Sequence, residues 1–202
     1  MEKQTEEYMQ KATLLHGEGS IIEPQIEFLQ ELLKGHGEIL RIGETGFNLG
    51  ISAATFLGAR PDIMVVSFDW LRYPNTECYP PPLMAKRIID GTFPGQHTLI
   101  VGDSQETLPA FRNLIASNFF DMLFIDGGHI WPVPYNDIIN LFPLLKVGGL
   151  IVVDDYCEDY GSLGVMRAWD TFAEKKLVRI DGTQPYQYRN RAWMIGTKIE
   201  EL

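Results

Sequence analysis

The chain has little of what marks a secreted, membrane or nucleic-acid-binding protein. Its two cysteines, Cys78 and Cys157, stand in unrelated contexts and form neither a CxxC pair nor a dense framework. That excludes a disulfide scaffold and points to a reducing compartment. No apolar run approaches the ~20 residues needed to span a bilayer. The start, MEKQTEEYMQ, is polar and acidic and does not read as a signal peptide. A cytoplasmic protein without a membrane partner is therefore expected. Basic residues are few, 17 against 27 acids for a net charge of −10, and they do not cluster. Phosphate affinity depends on Lys and Arg, so no nucleic-acid partner is expected. Internal repeats and low-complexity segments are missing too. What is there is 202 residues, 45% hydrophobic and 22% charged, enough for one domain with a full core. We read residues 1–202 as a single domain, with N-terminal helices over 1–36 above the ligand end of an α/β core at 37–202. Homodimer formation and membership of a longer chain stay open.

The most informative stretch runs from Phe119 to Tyr156 and reads as strand, helix, strand. Asp121–Ile125 (DMLFI) and Leu150–Val153 (LIVV) are nearly continuous apolar runs, as expected of parallel strands covered on both faces. Tyr135–Leu145 between them has helical spacing, and Lys146–Gly149 reads as its stop. Each run ends in acid: Asp126 after the first, Asp154 and Asp155 after the second. Ligands of open α/β sheets bind beyond the carboxyl ends of the strands. Three gathered carboxylates repel unless a cation or protons offset them, which points to a divalent metal on oxygen ligands. The alternative is that one or more of these acids caps a helix or faces water.

Upstream, a loose helix is expected over Glu2–Leu15 and a second from Glu23-Pro24 to Lys34-Gly35, with Pro24 suited to a first helical turn. Glu38–Ile42 reads as a strand running into Gly43-Glu44-Thr45-Gly46-Phe47-Asn48-Leu49-Gly50, and Ile51–Leu57 as the next helix. Strand, glycine-rich turn and helix is the layout of a nucleotide-binding crossover. Here the pattern is E-x-G-x-x-x-G. An acid at this strand end repels a pyrophosphate but suits a cationic amino-acid group; a tight structural turn is the rival reading. Asp62–Phe68 is the second strand, and Asp69 at its end is placed to accept hydrogen bonds from ribose hydroxyls. The proline- and aromatic-rich Leu71–Pro82 reads as a substrate rim. A helix at Leu83–Asp90, a strand at His97–Val101 and a helix through Ile115 follow, with Ser104 and Gln105 suited either to a base or to a helix cap. Gly164–Lys175 is a helix. Leu177–Ile180 and Ala192–Thr197 close the sheet as an antiparallel pair. The fold class is thus a Rossmann-like, doubly wound α/β sheet of about seven mostly parallel strands.

Several of these motifs resemble the class I S-adenosylmethionine-dependent methyltransferases, and within them the metal-dependent O-methyltransferases. Glu44-Thr45-Gly46-Phe47-Asn48-Leu49-Gly50-Ile51-Ser52-Ala53 is similar to the E-x-G-x-x-x-G-x-S-A of the catechol O-methyltransferase type, as are Val101–Gln105 with Pro109, and Phe124-Ile125-Asp126. Asp154-Asp155-Tyr156 and the E-T-G start of the loop look more like the macrocin O-methyltransferase group, which modifies deoxysugars. The match covers roughly residues 38 to 175. It implies an S-adenosyl-L-methionine site of Glu44, Gly46, Phe47, Asn48, Gly50 and Ser52 around the methionine part, with Asp69 on the ribose. Asp103, Ser104 and Gln105 would face the adenine and Trp70 would stack beside it. It also implies Mg²⁺ or Mn²⁺ on Asp126, Asp154 and Asp155, with Asp126 shared between cofactor, metal and catalysis. The deoxysugar enzymes tend to have D-G-D after this strand, where the chain has Gly128. The catechol type has a lysine where the chain has His129, and histidine is a competent general base. The implied reaction is methyl transfer to a hydroxyl of a small-molecule acceptor, a sugar before a phenol. Vicinal hydroxyls would chelate the metal, and Trp131, Tyr135 and Tyr156 would offer stacking faces. A metal-free methyltransferase and a non-catalytic cofactor-binding scaffold are the alternatives. The E-x-G-x-x-x-G turn disfavours a nicotinamide dehydrogenase.

Overall fold

A computed structural model describes residues 21, 23–71, 82–158, 161–181, 186–188 and 191–200. The expected first helix at Glu2–Leu15, nearly all of the Leu71–Pro82 rim and Cys78 lie outside them. The helices are α1 (Glu23–Gly35), α2 (Ile51–Ala59), α3 (Pro82–Thr92), α4 (Ser104–Leu114), α5 (Val133–Leu141) and α6 (Leu163–Ala173). The strands are β1 (Arg41–Thr45), β2 (Met64–Asp69), β3 (His97–Val101), β4 (Phe120–Ile125), β5 (Leu145–Val153), β6 (Val178–Ile180), β7 (Tyr186–Tyr188) and β8 (Arg191–Lys198). Seven of them run in the order β3-β2-β1-β4-β5-β8-β6, and short β7 pairs with β8 off that path. The first five are parallel, while β8 is antiparallel to both β5 and β6. The chain winds outward from β1 to β3, then restarts at β4 on the other side of β1. The β1/β4 junction is therefore the switch point, where such sheets bind ligands.

The central strands serve two cores at once, because successive side chains alternate between faces. On β4, Met122 and Phe124 join Leu29, Leu33, Phe56 and Ile89 on one side. Leu123 and Ile125 join Leu108, Ile138, Leu141, Trp169 and Phe172 on the other. Burial on both faces explains the unbroken apolar runs read from the sequence.

Two boundaries differ from expectation, and both move functional residues. The first strand begins at Arg41 rather than Glu38, because the Asp121 carboxylate accepts hydrogen bonds from the Leu40 and Arg41 amides at 3.0 and 2.8 Å. Glu44 therefore lies within β1, opposite Ser67 of β2, and not in the turn. Lys146–Gly149 belongs to β5 instead of ending a helix. The helix itself stops at Leu141 and gives way to a 3₁₀ turn at Phe142–Leu144. Pro143 has no N–H to carry the helical hydrogen-bond ladder on. Buried Lys198 donates to the Phe142 and Leu145 carbonyls at 3.2 and 2.7 Å, satisfying that corner.

Candidate active site

A cavity of about 450 Å³ opens at the carboxyl ends of β1, β2 and β4, with the start of α4 and one face of α5 completing it. The turn after β1 is shaped for close approach. Gly46 has φ +85°, and a Cβ there would stand 1.9 Å from the Asp126 carbonyl oxygen, so only glycine lets the two strand ends meet. Asp69, at the end of β2, organises the same turn. Its Oδ2 accepts from the Phe47 and Asn48 amides at 2.7 and 2.8 Å, and its Oδ1 from the Leu71 amide at 2.6 Å. Gly46, Asn48, Asp69, Trp70, Asp103, Ser104, Gln105, Asp126 and His129 all line the cavity. Trp70 stands half exposed on its rim, and Ile130 sits at 81% exposure beside His129.

Four of the residues assigned to the cofactor sit deeper than expected. Glu44 is 0% exposed and accepts from Ser52 Oγ at 2.8 Å and Ser67 Oγ at 2.5 Å. Burial lifts its pKa to about 7 against the pull of those two hydroxyls. Ser67 passes the network on to His97 Nε2 at 2.7 Å, and burial, with the Lys86 charge adding, holds His97 down to about 4. Ser52 is thus turned to Glu44. Phe47 stacks on His97 with ring centroids 5.1 Å apart. Gly50, at φ +68°, abuts the side chains of Ile89 and Phe47. The strand boundary explains this: with Glu44 inside β1, the E-x-G element is a buried brace under the turn.

The acidic cluster also differs in membership. Asp126, His129 and Asp155 place one ligand atom each within 4.8 Å of one another. His129 Nε2 lies 3.2 Å from Asp155 Oδ2 and 4.0 Å from Asp126 Oδ1. Asp154 stands outside this group. It is 2% exposed, and its Oδ1 accepts from Gln25 Nε2 at 2.5 Å and from the Asp155 amide at 2.7 Å. β5 ends at Val153 and Asp155 adopts a left-handed φ of +54°, so the two adjacent acids do not continue the strand.

Trp131, Tyr135 and Tyr156, expected as stacking faces, serve the packing of α5 and α6. Trp131 lies against Tyr135 at 5.3 Å and carries the Arg167 guanidinium 3.9 Å above its ring. Tyr156 donates to Asp170 at 2.9 Å, and burial pushes its phenol up to about 12.

Sequence reading missed Thr45, Asn136 and Asp137. Asp137 is fully buried in the cavity wall. Its Oδ2 and Thr45 Oγ1 face the Gly127 backbone without a hydrogen-bond partner of good geometry. Burial raises its pKa to about 7, which the nearby hydroxyls of Ser104 and Thr45 only partly reverse. The signal was present: Pro134, Asp137, Ile138 and Leu141 share the buried stripe of α5, and an acid on such a stripe needs an explanation.

Comparisons with known proteins bear on the family and the fold. A family model described as a methyltransferase domain matches residues 44–156. No curated protein sequence matches the chain. Among solved structures, the O-methyltransferase TomG from Streptomyces achromogenes, involved in tomaymycin synthesis and in complex with SAM, is similar at TM-score 0.76. Its identity is 21% over 96% of this chain and 90% of its own. The O-methyltransferase from Bacillus cereus in complex with SAH gives TM-score 0.72 at 19% identity, over 97% and 91%. CalS11, a TDP-rhamnose 3'-O-methyltransferase in calicheamicin biosynthesis, gives 0.63 at 15%, over 95% and 92%. At these identities the likeness speaks to the fold.

Proposed function

This chain belongs to the methyltransferase-domain family and is an S-adenosylmethionine-dependent methyltransferase, and from that premise we propose that it methylates a hydroxyl oxygen of a small molecule. A sugar or deoxysugar is the first choice, with a divalent cation at the acceptor end of the cavity. The observation that carries this is the meeting of Asp126, His129 and Asp155 on the cavity edge at the β4 and β5 ends. The Asp154-Asp155-Tyr156 form and the sugar substrate named for CalS11 favour a sugar over a phenol.

The residues fit both groups. Two carboxylates and an imidazole within 4.8 Å suit a hard or borderline divalent ion. Asp126, His129 and Asp155 would hold it, and such a cation, when bound, acidifies a hydroxyl on it. The turn at Gly46–Asn48, Asp69, Trp70 and Asp103–Gln105 would hold the cofactor, whose sulfonium supplies the methyl group. Asp69 keeps the turn in place through two of its backbone amides, Phe47 and Asn48, and that rigidity is the protein's share of positioning.

The His129–Asp155 pair supports a second reading, without metal. His129 would take the proton at Nδ1 as the O–H bond of the acceptor breaks, with its Nε2–H held toward Asp155 Oδ2. The freed oxygen would be the nucleophile toward the methyl group that a bound cofactor would supply. Asp155, 3.2 Å away, stabilises the imidazolium that forms. The two readings exclude each other in one respect: Nε2 must be bare to ligate a cation, and must carry hydrogen to donate to Asp155.

Calorimetric titration of S-adenosylhomocysteine into chelator-treated protein, then of Mg²⁺ or Mn²⁺, tests the reading alongside turnover on nucleotide sugars and catechols. Micromolar cofactor binding, a separate metal heat and EDTA-sensitive turnover of a sugar are expected. Turnover unaffected by EDTA would leave the His129–Asp155 reading. Absence of cofactor binding would overturn both.

A further inference from the structure

Every polar atom of the Gln105 side chain is engaged by the protein. Its Oε1 accepts from Asn136 Nδ2 at 2.6 Å. Its Nε2 donates to Asp137 Oδ1 at 3.2 Å and to Ser104 Oγ at 3.1 Å. A carboxamide nitrogen has two hydrogens, and a carbonyl oxygen has two lone pairs. Both hydrogens are occupied, and one lone pair is taken by Asn136. What Gln105 can still present to the cavity is one acceptor and no donor.

Asp137 imposes that polarity. Asn136 can meet a Gln105 amide of either sense by turning its own amide over. Asp137 Oδ1 only accepts, so the nitrogen of Gln105 has to face it. A proton on Asp137 would not reverse this, because Oδ2, which has no hydrogen-bond partner, can carry it while Oδ1 goes on accepting. Asp137 has no accessible surface itself, so no ligand atom touches it and it acts through Gln105.

We propose that Asp137 is a positioning residue that makes the Gln105 end of the cavity selective for a nucleoside base bearing an exocyclic amino group, against the same base bearing a carbonyl there. An amino group donates to the remaining lone pair of Gln105. A carbonyl places acceptor against acceptor and leaves a half-buried group unmet, which is how polar sites reject near-isosteres. The inference rests on reading the cavity as the S-adenosyl cofactor site.

Affinities of S-adenosylhomocysteine and S-inosylhomocysteine, measured calorimetrically on wild type and D137N, test it. In wild type the adenosyl ligand is expected to bind roughly 10- to 100-fold more tightly. In D137N, where the new amide lets Gln105 turn over, the ratio should fall to within about threefold. A purely structural role would weaken both ligands alike and preserve the ratio; that result overturns the proposal. So does a wild type that binds both equally. A wild type that binds neither sinks the cofactor reading instead. Should D137N not fold, by circular dichroism, D137S replaces it, since its hydroxyl can donate as well as accept: a ratio that falls supports the proposal, and a preserved ratio overturns it.

Discussion

The carboxamide of Gln25 and the carboxylate of Asp154 meet 2.5 Å apart inside the protein, 129 residues distant along the chain. This contact ties α1 to the end of β5 and turns Asp154 away from the Asp126–His129–Asp155 cluster. Replacing Gln25 by Leu removes a donor from a buried carboxylate. The expected cost is about 1 to 3 kcal/mol of stability, read as a lower urea midpoint at unchanged slope. Metal uptake should survive, since neither residue belongs to the cluster. A variant as stable as wild type would show the contact to be energetically idle.

Gly46→Ala should be among the most damaging single substitutions. The added methyl meets the Asp126 backbone at 1.9 Å, at a φ of +85°, and neither strand end can retreat without breaking the sheet. We expect a loss above about 2 kcal/mol and at least a roughly tenfold weaker S-adenosylhomocysteine affinity. Gly91→Ala is the contrast. It lies near the end of α3 with nothing within 4 Å of a new Cβ, so it should be neutral or stabilising by up to about 1 kcal/mol. Thermal melts of the two side by side would show whether space or glycine content matters.

Glu44 gives a pH signature. Its folded pKa of about 7 stands above the ordinary 4.5, so the native state keeps a proton that the unfolded chain releases. That contribution is full below about pH 4.5 and is lost as pH rises through about 7. Glu44→Gln cannot titrate. Its stability relative to wild type should therefore rise between pH 5 and pH 8, by an amount on the order of 2 kcal/mol. His97, held down to about 4, works in the opposite direction but is present in both proteins and largely cancels. Equal urea midpoint differences at the two pH values would mean that Glu44 is ionised throughout.

The fold was readable because the parallel strands are buried on both faces and so appear as unbroken apolar runs, each followed by acid. That placed Asp69, Asp126 and Asp155 at strand ends without further information. The depth of Glu44 was not readable. It depends on Asp121 binding the backbone at Leu40 and Arg41, a contact across some eighty residues that local spacing does not encode. Asp137 was hidden for a different reason. An acid inside a helical pattern is usually solvent-facing, and only its phase against Pro134, Ile138 and Leu141 marks it as inward. The different settings of Asp154 and Asp155 were not readable either, since they follow from the distant Gln25 contact and the left-handed backbone at Asp155.

That difference in setting supplies the sharpest contrast between the two adjacent acids. Asp155→Asn weakens one of the three ligands in the cluster, while Asp154→Asn alters a carboxylate turned toward Gln25. If a cation binds as proposed, D155N should lose the Mn²⁺ heat by at least roughly tenfold in affinity, with little change in melting temperature. D154N should keep metal affinity within about threefold and lose stability instead, because its Oδ1 can still accept from Gln25 and Asp155 but lacks the charge that strengthens both bonds. Each variant also serves as the control for the other, since both remove one negative charge from the same strand end. A general electrostatic effect would weaken the metal equally in both. Loss of metal binding in D154N but not D155N would reverse the assignment, and would mean that Gln25 releases Asp154 when the cation arrives.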